Sequence, residues 1–177
     1  IEIRFRHPRS NARCRLDWAV PNDKMPDAQR LMERAVNDGT KIFIIQSADE
    51  WSEFIAVNSK AVFKDKFFVG TNWLGGVMFN KPHDIFKELP VGNALNWPYQ
   101  ALIHTGVERM GLVMEGEELL VGAYHTYPMA IGTAMGIVPM GKGSVLFSTL
   151  DIYGNIINDS AAGLVAKKLI FNMIDFK

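Results

Sequence analysis

The chain has little cysteine and no long apolar segment. Its single cysteine, Cys14, excludes an internal disulfide and a zinc site built from several thiolates. The longest apolar runs, near 41–45 and 144–147, are far shorter than the roughly 20 residues of a membrane-spanning helix. The sequence therefore predicts no contact with a membrane, and its low cysteine content is compatible with the cytosol as well as with a secreted protein.

Motifs for cofactors and for nucleophilic catalysis are also missing. No Gly-x-Gly-x-x-Gly follows a predicted strand, and the turn 141–144 lacks the upstream glycine and the helix that cradle a phosphate. No Gly-x-Ser-x-Gly or Gly-x-Cys-x-Gly elbow occurs. The histidines are too far apart in sequence for two to share a helix face as metal ligands: His7, His83, His104 and His125. The sequence predicts no catalytic residue, no cofactor and no metal ion.

Neither sign of charge is in excess, because 19 lysines and arginines balance 19 aspartates and glutamates. This balance predicts no nucleic-acid partner. The segment 1–15 is basic, and its arginines alternate with apolar residues, which is typical of a solvated strand face or a domain contact. These arginines are Arg4, Arg6, Arg9, Arg13 and Arg15. The acidic cluster Glu115, Glu117 and Glu118 adjoins a glycine and predicts a solvated turn rather than a glycosidase carboxylate pair.

The composition, with 48% hydrophobic and 21% charged residues, is that of a globular chain with one core. An alternating strand and then a loop predict an N-terminal arm over 1–24, followed by one domain over 25–177. Because the chain begins with Ile1 rather than methionine, we expect it to derive from a longer polypeptide.

Helix and strand signals alternate along this domain. Pro26 and Gly39 bound a predicted helix over 26–38, with Gly39 in the left-handed conformation. A buried strand over 41–46 follows, and the capping box Ser47–Glu50 begins a helix over 47–57. Further elements are a strand over 67–69, a short helix over 82–89, strands over 118–122, 134–139 and 144–149 with a tight turn at 141–143, and a last helix capped by Asp159 or Ser160.

Aromatic loops follow some of these strands, at the edge where open α/β sheets bind ligands. Asp151 should lie at the carboxyl end of the strand over 144–149, although aspartate there also caps turns. His83 is the histidine best suited to a site, although a histidine among apolar residues more often belongs to a core. The candidate ligand-binding residues are Trp73, His83, Trp97, Tyr99 and Asp151.

Several segments resemble a known family. The segment 141–151 (GKGSVLFSTLD) and the helix ending LIFNMI at 174 resemble the closing strand and helix of class I glutamine amidotransferase-like domains, a layout shared with ThuA-like sugar-utilisation proteins. The motifs WLGGV at 73–77, HDIFKELP at 83–90 and WPYQ at 97–100 resemble the amidotransferase-like domain attached to bacterial family 2 glycoside hydrolases, which are β-galactosidase-like. The resemblance covers 26–177. It implies a three-layer, flavodoxin-like α/β fold with a mostly parallel central sheet and helices on both faces.

The resemblance also limits the function. Amidotransferases carry an elbow cysteine and a later histidine–glutamate pair, which this sequence lacks, and the catalytic glutamates of the glycoside hydrolases lie in a separate barrel domain. The implied function is therefore a non-catalytic accessory domain of a larger carbohydrate-active hydrolase, periplasmic or extracellular, acting in packing, oligomerisation or sugar contact. Its implied partners are other domains of the parent chain, carbohydrate and a second copy.

Two alternatives stay open. One is a ThuA-like sugar-processing protein with a pocket at the carboxyl edge of the strands, lined by the aromatic loops around Trp73 and Trp97 together with His83 and Asp151. The other is a carbohydrate-binding module, whose exposed aromatic faces would stack on sugar rings.

Overall fold

A computed structural model describes residues 2–3, 25–45, 48–69, 76–92, 94–95, 98–99, 102–103, 110–126 and 129–176. The strands are β1 Glu2–Ile3, β2 Lys41–Ile44, β3 Val62–Phe68, β4 Gly76–Asn80, β5 Met110–Glu115, β6 Glu118–His125, β7 Ala130–Met140 and β8 Gly143–Ser148. The helices are α1 Met25–Asp38, α2 Ala48–Val57, α3 Ile152–Ile156 and α4 Ala161–Asp175, with a 3-10 helix at Asp84–Phe86. The fold is mixed α/β.

The strands form one eight-stranded sheet, in which β1, β2, β8 and β7 are consecutive neighbours. Strand β7 also pairs with both β6 and β5. Strand β6 in turn pairs with β4, and β5 pairs with β3. Of these pairings, β1–β2 and β2–β8 are parallel and the other five are antiparallel. The prediction of a mostly parallel sheet is therefore wrong. Strand β7 reaches β6 and β8 through short turns, and a parallel pair would need a much longer crossover.

Helices contact both faces of the central strands. Along β2, Ile42 and Ile44 share a core with Met32 of α1, whereas Phe43 on the opposite face shares a core with Leu169 of α4. This alternation follows from the two-residue period of a strand buried on both faces. Strand β1 extends the same sheet, since Glu2 pairs with Ile42.

Most predicted elements of the domain are confirmed. The structure has α1, β2, α2, β6, β7, β8 and α4 at the predicted positions. Gly39 ends α1 with φ of 74°, and Ser160 caps α4 by accepting a hydrogen bond from the Gly163 N–H at 3.2 Å. The predicted helix over 82–89 is only the 3-10 turn. The sequence did not predict strands β4 and β5 or helix α3. The predicted loop over 7–24 and the predicted capping residue Ser47 lie outside the described residues.

Candidate functional site

Asp151 lies just beyond the carboxyl end of β8, as predicted, and caps α3. Its Oδ1 accepts a hydrogen bond from the Gly154 N–H at 2.9 Å, and its carbonyl accepts one from the Asn155 side-chain amide at 2.8 Å. Its own N–H donates to the Leu102 carbonyl at 2.9 Å. A Cβ on Gly154 would collide with the carboxylate, so the turn closes tightly around it. The carboxylate of Asp151 thus holds the connection from β8 to α3 in place.

His83 caps the 3-10 helix and contacts the C-terminal end of α4. Its Nδ1 accepts a hydrogen bond from the Ile85 N–H at 3.2 Å, and its Nε2 lies 3.7 Å from Oε1 of Glu118. The imidazole packs on the Phe176 ring, with 4.9 Å between ring centroids. Lys41 donates to the Phe176 carbonyl at 2.6 Å and places its ammonium 4.6 Å from the centre of that ring. These side chains fasten the end of α4 to the start of β2.

Asp151 and His83 therefore lie at opposite ends of the central strands. His83 adjoins Glu118, the first residue of β6, and contacts the residue that Lys41 holds at the start of β2. Asp151 follows the far end of β8, which runs parallel to β2. The hypothesis that both face one pocket is wrong because β4, which precedes His83, runs opposite to β8.

Tyr99 is part of the core. Its ring is 2% exposed, and its hydroxyl donates to the Pro90 carbonyl at 2.7 Å and accepts from the Asn80 amide at 3.4 Å. Burial raises the pKa of Tyr99 to about 12, and the Asn80 hydrogen bond opposes this increase only partly. The ring has no exposed face on which a sugar could stack. Trp73 and Trp97 lie outside the described residues.

The three glutamates at the turn between β5 and β6 each have a different partner. Glu115 forms an ion pair with Lys64, Glu118 lies near His83, and Glu117 accepts a hydrogen bond from the Thr133 hydroxyl at 2.6 Å. Each of the three carboxylates therefore interacts with a different residue. Within the described ranges, no group of three or more His, Cys, Asp and Glu side chains could hold a metal ion.

A buried asparagine that the sequence analysis passed over attaches the 3-10 helix to α4. The side-chain amide of Asn172 donates to the carbonyls of Ile85 and Lys87, both at 2.9 Å. The sequence signal was an amide within the apolar stripe of α4, where a buried polar group needs a hydrogen-bond partner.

A crevice of only about 10 Å³ lies on the same side of the sheet as α4. It is lined by Phe43, Ile45, Ile170, Met173 and Ile174. That volume suits at most one water molecule.

The opposite face of β4, β6 and β7 is open and apolar. Val77 pairs with Tyr124 and Tyr124 pairs with Ile131, so these side chains share one face of the sheet. Phe79, two residues from Val77, lies on the same face. Ile131 is 67% and Phe79 is 40% exposed, whereas Val77 and Tyr124 are partly exposed. We call these four side chains the open sheet face. The described helices on this side, α1 and α2, pack instead against β2, β3, β5, β7 and β8.

No protein-family model, curated protein or solved structure matches the chain. None of the helices in the described ranges is long and apolar enough to span a membrane.

Proposed function

We propose that the chain is a non-catalytic accessory domain that packs against other domains of a larger carbohydrate-active hydrolase. The observation that carries this proposal is the open sheet face. Its four side chains are uncharged, and an apolar centre without charge is typical of protein interfaces. The resemblance to the domain attached to β-galactosidase-like enzymes supplies the proposed parent and its periplasmic or extracellular location.

The proposal includes a variant of the three-layer, flavodoxin-like architecture of amidotransferase-like domains. Helices on both faces of β2, β8 and β7 support it. The antiparallel strands β3 to β7 are a departure that enlarges the sheet beyond the part covered by α1 and α2. The open sheet face belongs to this enlarged part, which is where a neighbouring domain would dock.

A protein partner fits the open sheet face better than a sugar does. Its most exposed member is Ile131, a branched aliphatic side chain, whereas the aromatic members Phe79 and Tyr124 are less exposed and sugar rings stack on open, flat aromatic faces. Tyr99, a candidate for such stacking, is buried. These two observations favour the accessory role over a carbohydrate-binding module. The ThuA-like alternative loses its main support because Asp151 and His83 are far apart.

The length of the native polypeptide tests the accessory role directly. An antibody against the purified chain would be used on extracts of the cells that express it. We expect a band well above 19.9 kDa, the mass of the 177-residue chain. A native polypeptide of that mass would overturn the proposal.

Activity assays on the purified chain test the absence of catalysis. We expect no ammonia release from glutamine and no hydrolysis of chromogenic galactosides, because the sequence offers neither an elbow cysteine nor a catalytic carboxylate pair. Turnover that Cys14→Ala or Asp151→Asn abolishes would contradict the accessory role.

The docking surface has its own test, in which the chain is titrated with the remaining part of the parent protein. Ile131→Asp should weaken that association at least about tenfold, since an unpaired charge would be buried in the interface. Val57→Asp is the matched control, because Val57 is 83% exposed at the end of α2, away from the open sheet face. Equal effects of the two variants would argue against this surface.

A further inference from the structure

The hydrogen bond from Ile85 to His83 specifies where the imidazole carries its proton. The Ile85 N–H donates to Nδ1 of His83 at 3.2 Å. Because a backbone N–H can only donate, Nδ1 has no proton in this arrangement. The proton of the neutral ring is therefore on Nε2, which lies 3.7 Å from Oε1 of Glu118. A protonated imidazole carries an N–H on both nitrogens, so it cannot cap the 3-10 helix in this way.

We propose that His83 is a pH-sensitive latch between the 3-10 helix and the end of α4. In its neutral form the imidazole accepts from the Ile85 N–H and packs on the Phe176 ring. When a proton from the solvent binds Nδ1, the ring turns away from the Ile85 N–H, and the imidazolium pairs with the Glu118 carboxylate instead. Each form of the ring has its own partner, so the proton selects between two arrangements. This inference does not depend on the accessory function.

The exposure of the two side chains fits this exchange of partners. The side chain of His83 is 14% exposed, whereas that of Glu118 is 50% exposed. A half-exposed carboxylate at the first residue of β6 can change its rotamer without displacing a core side chain. The separation of 3.7 Å between Nε2 and Oε1 is longer than a charge-assisted hydrogen bond, which is about 2.8 Å. A small movement of both side chains therefore converts this contact into a hydrogen-bonded ion pair.

The other charged groups around the imidazole belong to the 3-10 helix, α4 and β2. Asp84 follows His83 and Asp175 precedes Phe176, and water screens both carboxylates because both residues are exposed. Lys41 of β2 places its ammonium 4.6 Å from the centre of the Phe176 ring, and the imidazole packs on the same ring. Two cations on one ring would repel each other, so protonation favours movement of the imidazolium toward the carboxylate at the start of β6.

Release of the latch is local, because other contacts keep the 3-10 helix attached. The side-chain amide of Asn172 donates to the carbonyls of Ile85 and Lys87, both at 2.9 Å. Ile85 and Phe86 are also buried in the core. None of these contacts involves the imidazole of His83. Protonation should therefore free the Ile85 N–H and leave the core closed.

Hydrogen exchange of the purified 177-residue chain at about pH 8 and about pH 5 tests the latch. The two conditions are compared as protection factors, which correct for the intrinsic pH dependence of exchange. In the wild type, the Ile85 amide should lose about fivefold or more of its protection at the lower pH. His83→Asn is the matched control, because its side-chain oxygen can cap at either pH, and its protection should change less than about twofold. Unchanged wild-type protection, or an equal fall in His83→Asn, would overturn the proposal.

NMR of the imidazole nitrogens and a second pair of variants test the exchange of partners. At about pH 8, the ring of His83 should carry its proton on Nε2 and none on Nδ1. Glu118→Gln removes the carboxylate that receives the imidazolium, so half of the Ile85 protection should be lost only at a pH about half a unit or more below the wild-type midpoint. Glu115→Gln, in the same turn but paired with Lys64, should leave that midpoint unchanged. A proton on Nδ1 near pH 8, or equal midpoints in the wild type and Glu118→Gln, would contradict the latch.

Discussion

The ring of Phe79 on β4 lies over Gly122, its partner on β6, and occupies the space that a Cβ on Gly122 would need. The same relationship recurs at two other cross-strand pairs of the sheet, Phe67–Gly111 and Phe147–Gly136. In each pair, the aromatic side chain covers backbone that the glycine leaves bare. The glycines in β5, β6 and β7 therefore have a packing role rather than a turn role.

Gly122→Ala should lower the free energy of unfolding by about 1–3 kcal/mol, because the added methyl group displaces the Phe79 ring. Urea denaturation measures this loss. In the Phe79→Ala background the ring is gone, so Gly122→Ala should cost much less, and the double-mutant cycle isolates the steric conflict. Equal losses in both backgrounds would show that the ring is not the cause.

The parts of the fold that could be predicted from the sequence are those set by local signals. Gly39 at the end of α1, Ser160 at the start of α4 and the turn at 141–143 are examples. Strand β4 could not be recognised, because its pairing with β6 brings together residues far apart in sequence. The packing role of Gly122 could not be predicted from the local pattern, because the phenylalanine that covers it lies on another strand.

The same distinction applies to the candidate site. The position of Asp151 followed from a single buried strand and the chain direction, and it was predicted. The position of His83 depended on the direction of β4 relative to β8, which is a property of the whole sheet. The burial of Tyr99 likewise depends on Asn80 and Pro90, whose positions the local pattern does not specify.

Asp151→Ala should destabilise the protein by about 0.5–2 kcal/mol, because Gly154 loses the acceptor for its N–H. Asp151→Asn retains an oxygen that can accept this hydrogen bond and should cost less. Thermal unfolding of the two variants distinguishes the cases. If both were as stable as the wild type, the cap would contribute nothing, and a role for Asp151 outside the fold would have to be sought.

His83→Ala should lower stability by about 1 kcal/mol or more, because it removes both the acceptor for the Ile85 N–H and the packing on Phe176. His83→Asn keeps an acceptor at the cap but loses the ring contact, so its loss should be intermediate. Hydrogen exchange of the last turn of α4 gives a local readout. Protection there should fall in both variants, and unchanged protection would show that His83 does not secure this end of the helix.

Tyr99 should make the protein sensitive to alkaline pH. Its pKa is raised by burial from 10.0 to about 12, so the neutral phenol is the form that the fold favours. The resulting stability is fully present below about pH 10, and it is lost as the pH rises toward 12. A difference of about two units corresponds to on the order of 2–3 kcal/mol.

Urea denaturation at several pH values between about 8 and 12 would measure this loss against Tyr99→Phe. The variant has no phenol to ionise, and the Pro90 carbonyl still accepts from the Asn80 amide at 2.9 Å. Tyr99→Phe should therefore be less stable than the wild type by about 1 kcal/mol near pH 8. The difference should shrink and then reverse as the pH approaches 12, because only the wild type must bury an ionising group. Parallel pH profiles for the two proteins would contradict the raised pKa, because they would mean that Tyr99 has the same pKa in the folded and unfolded states.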